Sequence, residues 1–120
     1  MGLDQYAHAV MPHVENEDFI IEGEAHQIAQ WRKHSNLQGW MENLYRIKGG
    51  TREFNCEPVR LTFQDLADLE SAVLGENLPH TVGFFFGASA PEDKADDLAF
   101  IAKAREAMAQ DMEIYYNSWW

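Results

Sequence analysis

A chain of 120 residues with 46% apolar content suits one compact domain that buries about two-thirds of its unfolded surface. Its formal net charge of −11 argues against binding DNA or RNA directly, because phosphate recognition gains from counterion release only over a basic footprint. A single cysteine, Cys56, rules out an internal disulfide and a Cys-based zinc site, and a lone thiol fits a reducing compartment.

Residues 1–18 are acidic, have no clear period and place His8, Pro12 and His13 among small and polar side chains, so the expectation is an extended or partly mobile arm. Met1-Gly-Leu-Asp4 lacks the charged-then-apolar layout of a signal peptide, and no apolar run approaches the roughly 20 residues that cross a bilayer, so a cytoplasmic protein without a membrane span is expected. Phe19-Ile-Ile21 opens a single globular domain over 19–120 with a short strand. Ala25, Ile28, Ala29 and Trp31 then give a weak helical stripe that ends near Ser35-Asn36. A second helix follows over Leu37–Lys48, with Leu37, Trp40, Met41 and Leu44 on one face and Gly49-Gly50 as its stop.

Phe54–Leu61 reads as a strand that Pro58 confines to an edge or a bulge, because proline lacks a ladder donor. Thr62 and Asp65 form a capping box, after which Phe63, Leu66, Leu69 and Val73 define a helix ended by Gly75. Leu78–Gly87, rich in phenylalanine and bounded by Pro79 and Gly87, reads as a buried central strand. Ser89-Ala-Pro-Glu92 caps a long helix to about Ala109, and Met112–Tyr116 forms a last strand. This β-α-β-α-β order implies right-handed crossovers and parallel neighbours. The predicted fold class is therefore α+β, or a small α/β domain, with a three- to four-stranded, mostly parallel sheet and about four helices.

Charge is unevenly placed: 1–30 carries six acids and no Lys or Arg, 31–52 is net +4, and 53–120 has thirteen acids against four bases. Opposite-signed faces follow, and an acidic body favours a basic partner. The basic stretch sets Trp31, Arg32 and Lys33 beside Trp40, Tyr45 and Arg46. Aromatics among cations either anchor a protein interface or stack on a base, or else divide into a core tryptophan and a solvated basic face. Adjacent strand residues point to opposite faces, so one of Trp119 and Trp120 is a candidate for exposed contact surface.

Reactive centres are harder to assemble. Ser89 sits where a nucleophile elbow would, but Gly87-Ala-Ser89-Ala-Pro91 lacks the second glycine, and helix capping accounts for the serine. Glu92, Asp93, Asp96 and Asp97 crowd the following helix start, where they repel an anion and meet the helix dipole favourably; without a calcium-loop pattern they read as a solvated face, with no metal expected. His26 and His34, on one predicted helix, are roughly 12 Å apart along its axis, too far for one ion. His80 has no evident partner, and Cys56 reads as a small buried hydrophobe within its strand. No cofactor is implied.

Trp31-Arg-Lys with Leu37-x-Gly39-Trp-Met41, Pro58-Val-Arg-Leu-Thr62, Leu78-Pro-x-Thr81-x-Gly-Phe-Phe-Phe-Gly87, Asp97-Leu-x-Phe-Ile101 and Tyr115-Tyr-x-Ser-Trp-Trp120 together resemble a family of small, functionally uncharacterised proteins encoded in tailed phages and prophages. The resemblance covers about residues 25–120. It implies a genomic setting and no catalytic residues. By analogy with small accessory phage proteins, the expected function is non-enzymatic binding of a host or phage protein, with inhibition of a host defence or metabolic system as one form. The expected contact residues are Trp31, Arg32, Lys33, Trp40, Tyr45, Arg46, Trp119 and Trp120. The alternative is a small-molecule or nucleotide binder, or minor enzyme, with a pocket beyond the central strand lined by His80, Phe86, Gly87 and Ser89.

Overall fold

The structure, a computed structural model, describes residues 3–11, 25–81 and 92–119. In chain order these form β1 (Asp4–Val10), β2 (Ala25–Arg32), α1 (Ser35–Ile47), β3 (Val59–Leu61), α2 (Phe63–Leu74), α3 (Asp93–Ala109) and β4 (Glu113–Trp119). The four strands make one sheet in the order β2-β1-β4-β3, and every neighbouring pair is antiparallel.

The mostly parallel sheet expected from the sequence is therefore wrong. Between β3 and β4 the chain makes two helical passes. Glu70 of α2 grips Arg105 of α3 at 2.8 Å, while the start of α2 and the end of α3 line one groove, so the two helices run in opposite directions. A double pass returns the chain to the end where β3 stopped, and β4 runs back along β3 with Leu61 opposite Ile114. A parallel partner needed a strand between the helices. Of the predicted central strand, Leu78–Thr81 has no ladder partner among the described residues, and 82–87 lies outside them, as does the strand expected at Phe19–Ile21.

Two further expectations fail at the N-terminal side. Residues 4–10 are not an arm but an interior strand, paired with β2 on one flank and β4 on the other. Its inward residues are Gln5, Ala7 and Ala9, too small or too polar to show the usual hydropathy alternation. The stripe at 25–31 belongs to β2, a strand, although Ala, Gln and Arg favour helix locally. A register shift between Ala7 and His8 puts Ala29 opposite Ala7 and Gln27 opposite His8, and this bulge breaks the two-residue period that would have marked a strand.

Other elements match their signals. Thr62 caps α2, its hydroxyl accepting from the Asp65 N–H at 3.2 Å while Asp65 accepts from the Thr62 N–H at 2.9 Å. β3 is a short edge strand directly after Pro58. Three helices rather than about four occur among the described residues, and all three bury their apolar stripes in one core with Ala7, Ala9, Trp31, Val59, Leu61, Ile114 and Tyr116. Trp31 meets Phe100 edge-on at 5.1 Å, and Phe54 stacks on Tyr116 at 6.1 Å. No helix among the described residues is long and apolar enough to cross a membrane.

Candidate functional site

At the end of the sheet where β2 hands over to α1, Lys33 adopts a left-handed backbone with φ 61° and donates its N–H to Leu3 O at 2.8 Å. The turn directs His34 inward at the head of α1. His34 Nε2 lies 2.8 Å from Asp97 Oδ2, and the Trp31 indole N–H donates to Asp97 Oδ1 at 2.9 Å. Asp93, one turn before Asp97 on α3, faces the other ring nitrogen, with Oδ2 3.6 Å from Nδ1. The two carboxylates thus address opposite edges of the imidazole and do not converge on a point where an ion could sit. Among the described residues no cluster of His, Cys, Asp or Glu is arranged to hold a metal.

The network continues under the sheet. The Gln5 side chain donates to His34 O and accepts from the His34 N–H, both at 2.9 Å, and its amide also donates to the Tyr116 hydroxyl at 2.9 Å. Tyr116 donates in turn to Gln38 Oε1 at 2.5 Å. Burial pushes the Asp97 carboxyl above the usual aspartate range, opposed by its bonds to His34 and Trp31. Burial likewise raises the Tyr116 phenol. A buried polar chain with matched partners fixes how β1, α1, α3 and β4 meet. It offers no reaction surface, because His34 is 3% exposed and Asp97 1%. No local pattern signals it: Gln5 falls in the expected arm and His34 at the end of the expected first helix.

The residues expected to form an aromatic and basic contact face are divided among different roles. Trp31 and Tyr45 are core residues, and Trp40 is half-buried against the same core. Arg46 lies over the Tyr45 ring at 5.2 Å and donates to the carbonyls of Gly50 and Arg52, closing the turn after α1. Arg32, Asp4 and Trp119 share one cross-strand row, with Arg32 Nε 3.9 Å from Asp4 Oδ1 and Trp119 exposed. Lys33 is exposed beside that row. Of the alternative pocket only His80 is described, and it is exposed; Phe86, Gly87 and Ser89, like Trp120, lie outside the described residues. Cys56 is exposed rather than buried, since its left-handed backbone (φ 62°), held by an N–H bond to Ser118 O, turns the side chain outward.

No family model, no curated protein and no solved structure matches this chain. The functional reading therefore rests on the surface itself.

Two open grooves meet at Met112, at the opposite end of the sheet from His34. One, of about 460 Å³, lies between the start of α2 and the end of α3 and is lined by Leu61, Phe63, Met108 and Met112 with Arg60, Asp111 and Glu113 at its rim. Phe63 is 65% exposed there, although it occupies the first helical position of α2 and is free to vary without loss of the cap. The other groove, of about 530 Å³, runs between β2 and the second half of α3 and includes Met11, Ile28, Ala107 and Met112. Methionines with exposed aromatic and aliphatic neighbours make an adaptable apolar surface. No local pattern signals it, because Met11, Phe63 and the Met108–Met112 segment come from three separate stretches that only the antiparallel sheet brings to one end.

Proposed function

We propose that the chain is a non-enzymatic protein-binding domain whose contact surface is the methionine-lined end of the sheet around Met112. The observation that carries this reading is the exposed Phe63 over a groove walled by Leu61, Met108 and Met112. Exposed apolar surface of this kind, rimmed by charge, is characteristic of recognition sites. The burial of the His34–Asp97 pair supports the non-enzymatic half of the proposal. In the phage setting that the resemblance suggests, the partner is a host or phage protein, and inhibition of a host defence or metabolic system is one consequence of such binding. The acidic body favours a partner of positive charge.

Capture from bacterial lysate on the immobilised full chain, read by mass spectrometry, tests this. A species retained by the native chain and by Leu74→Asp, at the far end of α2, but lost with Phe63→Asp is the expected result. Equal capture by Phe63→Asp, or no captured species, removes the proposed surface.

A further inference from the structure

The turn between α3 and β4 is closed by a methionine. α3 ends at Ala109, Asp111 takes a left-handed backbone (φ 64°), the Met112 N–H donates to Ala107 O at 3.1 Å and the Asp111 N–H donates to Met108 O at 2.9 Å. This pair of bonds is a Schellman closure, in which the residue after the left-handed one often packs an apolar side chain back on the last helical turn. Met112 and Ala107 line one groove together, and Met112 also lines the other with Leu61, Phe63 and Met108. A left-handed backbone costs aspartate more than glycine, so the turn leans on the Met112 contact.

The described methionines differ in how far solvent reaches them. Met41 is fully buried in the core, Met11 is 49% exposed, and Met108 and Met112 are half-buried, packed against the core while lining the groove beside Phe63. A thioether placed so can take one oxygen atom from a small peroxide: the O–O bond breaks, sulfur loses two electrons, and the peroxide leaves as water or an alcohol. The sulfoxide formed is polar and a hydrogen-bond acceptor, which a wall of Leu61, Phe63 and Ala107 side chains does not satisfy. Its oxygen favours solvent over the Ala107 contact, which loosens the turn and makes the groove polar. Return takes two electrons and two protons from a dithiol by way of methionine sulfoxide reductases, one for each epimer, and releases water.

We propose that Met112, with Met108 beside it, is a reversible peroxide-oxidation site that opens the α3–β4 turn and switches off the apolar contact surface. The switching half rests on the protein-binding reading above; the oxidation and the opening of the turn do not.

The test exposes the full chain to dilute hydrogen peroxide and maps its methionines by mass spectrometry. Met108 and Met112 should gain one oxygen at least about tenfold faster than Met41, which oxidises only when the core opens, with Met11 as the exposed reference. In the oxidised chain the Asp111 and Met112 amides should exchange about tenfold faster with solvent, and treatment with both reductases should restore the original rates. Lysate species held through Phe63 should be released by oxidation and regained after reduction. In the chain carrying Met108→Leu and Met112→Leu, capture after peroxide should equal capture before it, whatever the starting level. Oxidation of Met108 and Met112 no faster than that of Met41 overturns the site. Selective oxidation without faster exchange at Met112 overturns the opening of the turn. Capture that persists in the oxidised chain, while Phe63→Asp still abolishes it, overturns the switch and leaves the protein-binding reading standing. A native chain that retains no species removes that reading and the switch together, and the mapped rates alone then decide the oxidation site.

Discussion

The His34 ring and the Asp97 carboxylate are 2.8 Å apart and almost wholly buried, and they tie the head of α1 to the second turn of α3. Removing the imidazole takes away one of the two hydrogen-bond partners of the buried Asp97 carboxyl and leaves it only the Trp31 N–H among those described. His34→Ala should cost about 3 kcal/mol or more of unfolding free energy. Asp97→Asn keeps the Trp31 acceptor and the shape, and should cost about 1 kcal/mol. Chemical denaturation of the singles and the double should show a coupling of about 1–3 kcal/mol, and strict additivity would count against the pair as a unit.

The raised Asp97 carboxyl also sets a pH dependence. Because its folded value lies above the unfolded one, its stabilising contribution is complete below the ordinary aspartate range and is lost as pH rises through the raised value. Asp97→Asn should remove that decline. Thermal melts of the two proteins from mildly acidic to neutral pH should therefore converge as the pH rises; parallel curves would contradict the shift.

Tyr116 follows the same sign at the alkaline end. Its phenol is raised by complete burial, so its contribution holds below the ordinary tyrosine value of about 10 and is lost above it. Tyr116→Phe should cost about 1–3 kcal/mol at neutral pH, by stranding Gln5 and Gln38, while moving the alkaline unfolding limb to higher pH. Equilibrium unfolding monitored against pH checks both parts.

Gly39 sits within α1, where helix propensity favours alanine by about 1 kcal/mol. A Cβ at that position, however, runs into the Thr81 side chain. Overpacking should win, so Gly39→Ala is expected to destabilise by about 1–3 kcal/mol and to be partly rescued by Thr81→Gly. A stabilised Gly39→Ala protein in urea titration would mean that Thr81 does not pack there.

Thr62→Ala removes half of the capping box of α2 and should cost about 1 kcal/mol. Asp65 serves twice, as the other half of the box and as the partner of Lys48 at 2.8 Å. Asp65→Ala should therefore be the more harmful of the two, a ranking that guanidinium midpoints can test.

Local chemistry made part of this fold readable. The Thr62/Asp65 box, the stripe of α1, the Leu66, Leu69 and Val73 stripe of α2 and the edge position imposed by Pro58 each depend on residues a few positions apart, and each is found; α3 is a helix as expected, but its buried face is Asp97, Phe100, Ile101, Ala104 and Ala107. β1 and β2 were not readable for opposite reasons. Inside β1 the inward positions hold Gln5 and two alanines, whose burial is compensated by partners more than a hundred residues away in β4. In β2 an exposed edge leaves no burial pattern to enforce alternation, and the bulge shifts its phase into a helical spacing.

The sequence by itself determined α1, α2 and α3 as helices, the Thr62 cap of α2, the short β3 edge and the acidic character of the whole. Tertiary structure decided the antiparallel sheet, the buried run from Trp31 and His34 through Gln5 to Tyr116, and the meeting of Met11, Phe63, Met108 and Met112 at one end. The physical reason is range: capping and helical periodicity act within a turn or two, whereas strand direction and surface composition are set by which distant segments find each other's hydrogen bonds and apolar faces.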